Sequence, residues 1–152
     1  MRTAQAGFKT GLGPLGPADL LVRVGPTLRV DVGLRPLGPP GGPPDLARKR
    51  VHALIDTGAG GDCIDDELAR DLRLPVLEEG QTISGVGGRH EAVMYMARVY
   101  VPEFQRLLFQ PFTGVKLSEG DQPHRLILGR TFLRPYRMSY DGTTGAVEIV
   151  ED

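Results

Sequence analysis

The sequence is poor in several features from which common functional sites are built. It holds one cysteine, Cys63, in 152 residues, so no disulfide can form within the chain. Neither sign of charge is in excess: 18 Lys and Arg stand against 19 Asp and Glu, a net charge of -1. Such a balance gives no broad electrostatic attraction to nucleic acid or to an anionic membrane, and neither is expected as a partner. No apolar run approaches the ~20 residues that cross a bilayer. The first residues lack the basic, apolar and small-residue succession of a signal peptide, and with the single cysteine this leads to the expectation of a cytoplasmic protein. Three histidines, His52, His90 and His124, are scattered, and neither HExxH nor CxxC occurs. No metal site and no cofactor is therefore expected.

What the chain does have is glycine and proline, unevenly spread: half of the combined total falls in the first 45 residues. A length of 152 residues suits one domain with a real core. Residues 1–22 have few periodic apolar positions and are expected to form a flexible tail, with the compact domain at 23–152. Within it, Pro36 to Arg50 ("PLGPPGGPPDLARKR") reads as a Pro/Gly-rich surface loop between two strands.

Apolar periodicity places the rest. "TLRVDVGL" alternates Leu28, Val30, Val32 and Leu34, the period of a half-buried strand, and "RVHALID" is a short apolar strand ending at Asp56. From Asp65 the signals turn helical: an aspartate at the N-cap, Asp66 and Glu67 in the first turn, and Ile64, Leu68 and Leu72 spaced by four, with Pro75 ending the run. "QTISGVGGRHEAVMYMARVYVP" reads as a hairpin with a glycine-rich tip. "RLLFQPF" and "HRLILG" read as strands, "RTFLR" as a helical turn, and Met138 to Val150 as a terminal hairpin turning at Asp141 to Gly145. Short strands with one or two short helices make a mostly antiparallel β domain.

One stretch stands out. In "ALIDTGAGGDCIDDELARDL" an apolar strand delivers Asp56 onto a turn of small residues, Thr57, Gly58, Ala59, Gly60 and Gly61. Nothing bulky screens the carboxylate, glycines let another backbone approach, and the threonine hydroxyl can orient it. Taken alone, the triplet reads as a turn cap. Cys63 reads as a small buried apolar side chain rather than a nucleophile, since no histidine is placed to activate it. Asp62, Asp65, Asp66 and Glu67 read as a solvated acidic helix start.

The order "ALIDTGAGGDCI", a helix, "ISGVGGRHEA" and then "LILGRTFL" resembles the retropepsin-like aspartic proteases, including their bacterial members, over roughly Thr27 to Val150. The resemblance implies a closed antiparallel β-barrel-like acid protease fold that hydrolyses peptide bonds of an extended polypeptide. It implies Asp56 as the catalytic acid/base and Thr57, Gly58 and Ala59 as the active-site loop. Ile83, Ser84, Gly85, Val86, Gly87, Gly88 and Arg89 would form a flap over substrate, and Gly129 and Arg130 would support the loop from beneath. Only one DTG triplet is present, so the partner aspartate must come from a second copy in a homodimer. Two departures stand against the retroviral pattern: Gly60 and Gly61 occupy places where acids often pair with the arginine, and the chain continues after "TFLRP" into a hairpin. The alternative reading is a non-catalytic dimerisation or peptide-binding module on the same fold.

Overall fold

The computed structural model describes residues 1–33, 49–85 and 88–152, the side chains of 78–85, 89 and 90 excepted. Along the chain run β1 (Thr3–Gln5), α1 (Pro17–Val24), β2 (Thr27–Gly33), β3 (Lys49–Ile55), β4 (Cys63–Asp65), α2 (Asp66–Asp71), β5 (Val76–Gly85) and β6 (Gly88–Val101). A 3-10 turn at Pro102–Phe104 leads to β7 (Arg106–Val115), β8 (His124–Leu128), α3 (Arg130–Leu133), β9 (Tyr136–Asp141) and β10 (Ala146–Glu151).

Six strands close on themselves in the order β2-β3-β8-β4-β7-β6, with β6 returning to β2 through Asp31↔Tyr100, Val32↔Val99 and Gly33↔Arg98. This is the mostly β class that the alternation predicts, closed into the barrel that the resemblance implies. Closure removes the exposed edges that an open sheet of this size would carry. Within it two pairings are parallel, β3 with β8 and β4 with β7. Parallel neighbours need a long crossover, and β4 through β7 supply it between β3 and β8. The alternating positions point inward: Val30, Val32, Ala53, Ala97, Val99, Val101, Leu126 and Leu128 are all buried, around Phe112 and Ile64.

The terminal hairpin, β9 and β10, forms a second sheet in the order β1-β10-β9. Here the expected tail at 1–22 is corrected. Ala4 and Ala6 are fully buried, Ala4 pairs with Ile149, and the Ala6 amide donates to the Val147 carbonyl at 2.9 Å. Leu20 and Leu21 of α1 are buried as well. Two alanines and one adjacent pair of leucines carry this packing, which is why no apolar period advertises it. Of the expected surface loop at 36–50, Lys49 and Arg50 belong to β3, and Arg50 clasps the buried Asp31 opposite it with two hydrogen bonds, at 2.9 and 3.3 Å. Residues 36–48 lie outside the described residues.

A seam of aromatic side chains joins the two sheets. Tyr136 stacks on Phe104 at 4.3 Å between ring centroids and tilts against Phe132 at 5.3 Å, and Arg106 donates to the Phe132 carbonyl and the Tyr136 hydroxyl. At the entry to β8, His124 is buried against Thr27, with Nε2 at 2.8 Å from the hydroxyl. That hydroxyl donates to the Gly25 carbonyl. Nε2 must therefore carry the ring proton, and the buried Nδ1 is left without a partner.

Candidate active site

β3 and β8 run side by side and end together. The Asp56 amide continues their ladder by donating to the Leu128 carbonyl at 2.9 Å, so the carboxylate leaves the barrel where two buried strands stop. The chain then turns sharply. The Gly58 amide donates to Asp56 Oδ1 at 2.8 Å and the Ala59 amide to the Asp56 carbonyl at 3.2 Å. One carboxylate oxygen is thereby oriented, while the side chain stays partly open to solvent.

The loop after Asp56 turns its carbonyls toward the segment that opens α3. Arg130 Nη1 donates to the Thr57 carbonyl at 2.8 Å, and the Arg130 amide to the Ala59 carbonyl at 2.9 Å. Thr131 reaches the Gly60 carbonyl twice, through its amide at 3.0 Å and its hydroxyl at 2.8 Å. The two segments lie so close that a Cβ on Gly129 would collide with the carbonyls of Gly61 and Ala59. Only glycine fits this crossing, because both obstacles are backbone. Arg130 thus holds a carbonyl of the loop rather than a carboxylate.

Asp62 is the residue that sequence reasoning misassigned. It is not part of a solvated helix start; it is 6% exposed and points inward. Its Oδ1 accepts from the Gly129 amide at 2.7 Å and its Oδ2 from Gln110 at 2.6 Å, while its carbonyl accepts from the Thr113 amide. With both oxygens engaged inside the fold, it is a clamp between the loop, β7 and β8. Asp65 is buried too, at 1%. It caps α2 by accepting from the Leu68 amide and also accepts from the amides of Leu117 and Ser118 at 3.0 Å. No signal in the sequence separates these two aspartates from Asp66 and Glu67, since their partners lie between 48 and 67 residues away in Asp62's case.

Beside them Cys63 is half-buried, and burial, together with the charges of Asp62 and Asp56, pushes its thiol up to about 11. It stays protonated at neutral pH and has no nucleophile's character. Thr57 and Gly58 are exposed and Ala59 partly so. Of the segment assigned to a flap, Ile83, Ser84 and Gly85 pair with His90, Arg89 and Gly88 at the end of the β5–β6 hairpin. Val86 and Gly87 lie outside the described residues. No helix among the described residues is long and apolar enough to cross a membrane.

The site therefore offers a single oriented, accessible carboxylate on a firmly backed loop. Among curated proteins none matches the chain. Among solved structures it is similar to the EIAV protease complexed with the inhibitor HBY-793, at 20% identity and a TM-score of 0.49, over 72% of this chain and 85% of that one. It is also similar to a retropepsin-like aspartic protease from Rickettsia conorii, at 12% identity and a TM-score of 0.45, over 97% of this chain and 92% of that one. A third similar structure is the retroviral protease-like domain of Ddi1 from Leishmania major, at 17% identity and a TM-score of 0.39, over 83% of this chain and 95% of that one. The family model described as "gag-polyprotein putative aspartyl protease" matches residues 45–135, which run from just before β3 through the Asp56 loop to the end of α3, and on that match, more than half its length, the chain belongs to this retropepsin-like aspartyl protease family.

Proposed function

We propose that the protein is an aspartic endopeptidase whose active form is a homodimer, with Asp56 of each copy forming the catalytic pair. The observation that carries the reading is the Asp56 loop: a partly exposed carboxylate with one oxygen fixed by the Gly58 amide, on a turn held from behind by Arg130, Thr131 and Gly129. Asp62, the other acid of the loop, faces inward with both oxygens occupied, which supports a second carboxylate supplied by another copy.

Two carboxylates facing each other a few ångströms apart share one proton, because like charges so close do not both ionise. The ionised member takes a proton from a water held between them, and the protonated member donates to the carbonyl oxygen of the scissile bond. Water adds to the carbonyl carbon, and the tetrahedral species collapses as the amide nitrogen accepts a proton and leaves. Thr57 would bond across the base of the pair, and Gly58 would present backbone to an extended substrate. The glycine-rich end of the β5–β6 hairpin would close over that substrate as an added strand.

The experiment is cleavage of a pool of unstructured peptides by purified protein from acid to neutral pH, read by mass spectrometry, with Asp56→Asn alongside. Cuts made by the wild type and lost in Asp56→Asn are the expected result. A wild type that binds peptides and cuts none, with Asp56→Asn binding equally, identifies a peptide-binding module instead.

A further inference from the structure

Arg130 is tied down on one side and open on the other. Its amide donates to the Ala59 carbonyl at 2.9 Å and its Nη1 to the Thr57 carbonyl at 2.8 Å, so backbone and side chain are both fixed against the Asp56 loop. That engages one of the five N–H donors of a guanidinium. Among the described residues no carboxylate pairs with it and its other donors meet no acceptor, although the residue is exposed. The acid of the loop, Asp62, is turned inward to Gly129 and Gln110. Beside the guanidinium the loop carries no side chain. A Cβ on Gly60 would lie 3.6 Å from Arg130 Nη2 with no other non-neighbouring atom within 4 Å, and one on Gly61 would meet nothing within 4 Å. Both glycines are exposed, and the Gly60 carbonyl is pinned by Thr131. Arg130 Nη2 thus borders an open notch whose wall is fixed glycine backbone.

We infer that this notch is a subsite for an acidic side chain of the substrate, with Arg130 as the residue that selects it. The inference rests on the endopeptidase reading and adds the substrate class: extended polypeptides carrying aspartate or glutamate near the cut. Charge decides the occupant. A fixed guanidinium with unused donors is complementary to a carboxylate, and Nη2 with an adjacent N–H can take both of its oxygens. Distance decides the position. The Ala59 amide bonds the Asp56 carbonyl at 3.2 Å, which closes a β-turn. Such a turn keeps its end Cα atoms within about 7 Å, and one more residue adds about 3.8 Å, so Gly60 lies at most about 11 Å from Asp56. An extended substrate advances about 3.3 Å per residue, which brings the carboxylate from the second or third residue to one side of the scissile bond. In a homodimer the second copy repeats the notch across the axis, so the preference falls on both sides of the cut. A substrate acid then does for Arg130 what an acid at position 60 would do within the chain.

The test compares peptides that differ in one group. Cut sites of the wild type on a pool of unstructured peptides are mapped by mass spectrometry, and the fastest-cut peptide is remade in pairs, Asp against Asn and Glu against Gln, at the second and third residues on either side of the cut. The wild type is expected to favour the acidic member about five- to tenfold in kcat/KM at low salt, and less at high salt. Gly60→Asp supplies the carboxylate from within the chain and brings that ratio to one or below, whereas Gly60→Ala adds a methyl group without charge and keeps the preference. Arg130→Gln keeps an N–H donor, removes the charge and loses the preference. Each figure is a ratio within one protein, so a general loss of activity cancels. Equal rates for acid and amide in the wild type, or a ratio unchanged in Gly60→Asp, overturn the subsite and leave the endopeptidase standing. If the wild type cuts nothing, the same pool is passed over immobilised wild type and Gly60→Asp. Acidic peptides retained by the first and not by the second keep the subsite and overturn the endopeptidase; equal retention overturns both. A variant that circular dichroism finds unfolded is set aside, and the wild-type ratio with the remaining variant decides.

Discussion

Asp62 carries the most specific structural prediction. Its carboxylate is 6% exposed, accepts the Gly129 amide at 2.7 Å and Gln110 at 2.6 Å, and so ties the Asp56 loop to the end of β8 and the middle of β7. Asp62→Ala removes both acceptors. The Gly129 amide, pinned beneath the carbonyls of Ala59 and Gly61, cannot turn to another partner. A hydrogen bond to a charged group is worth about 1.5–3 kcal/mol, and an orphaned buried donor costs a similar amount. Gln110 is only part-buried and recovers much of its loss from water. The substitution should therefore cost about 3 kcal/mol, which for a domain of this length lowers Tm by about 6–12 °C. Asp62→Asn keeps an oxygen for Gly129 and lets the Gln110 amide turn to accept, so it should cost about 1 kcal/mol. Differential scanning calorimetry of the three proteins measures this directly. A Tm for Asp62→Ala within about 2 °C of wild type would refute the clamp.

Three further outcomes are expected. Deleting residues 1–8 removes β1, the bond of Ala6 to β10 and that of Phe8 to Gly145 in the preceding turn, so the truncated chain should melt several degrees lower; an unchanged Tm would mean that the segment is the loose tail its composition suggests. Gly129→Ala forces a methyl group onto the Ala59 and Gly61 carbonyls and should abolish peptide cleavage while the far-ultraviolet circular dichroism stays that of a β protein; full activity would contradict the close crossing. His124 sits below its ordinary 6.5 because burial, with His52 and Arg125 nearby, disfavours the imidazolium. The unfolded chain takes up a proton near 6.5 and the folded one does not, so this contribution to stability is complete above 6.5 and declines as pH falls below it. His124→Gln keeps a donor for Thr27 and should flatten the fall of the denaturant midpoint as pH drops below 6.5; an equally steep slope in the variant would place the effect elsewhere.

The parts of this fold that were legible in the sequence are those with a period. β2, the inward positions of β6, and the apolar runs of β3 and β8 announce themselves because each alternates or is buried on both faces. Their neighbours do not: the parallel pairing of β3 with β8 joins residues more than 70 positions apart. β4 is three residues long and was absorbed into the approach to α2. β1 escapes notice because alanines carry its burial, and α1 because its two buried leucines, Leu20 and Leu21, are adjacent and set in a glycine- and proline-rich context. At the site, Asp56 is legible because it stands alone on a turn of small residues. Asp62 and Asp65 are not, since an aspartate turned inward and one in water have the same local sequence. What separates them is the position of Gly129, Gln110, Leu117 and Ser118, which folding alone supplies.

The central claim is that two copies of Asp56 act as one catalytic group, and subunit mixing tests it most directly. Wild type and Asp56→Asn are combined in varying ratio at fixed total protein, equilibrated so that subunits exchange, and assayed on one peptide substrate. Mixed dimers hold a single carboxylate, so activity should follow the square of the wild-type fraction and drop to roughly a quarter at equal parts. Activity that falls in simple proportion to the wild-type fraction would contradict the account, because each copy would then be cutting on its own.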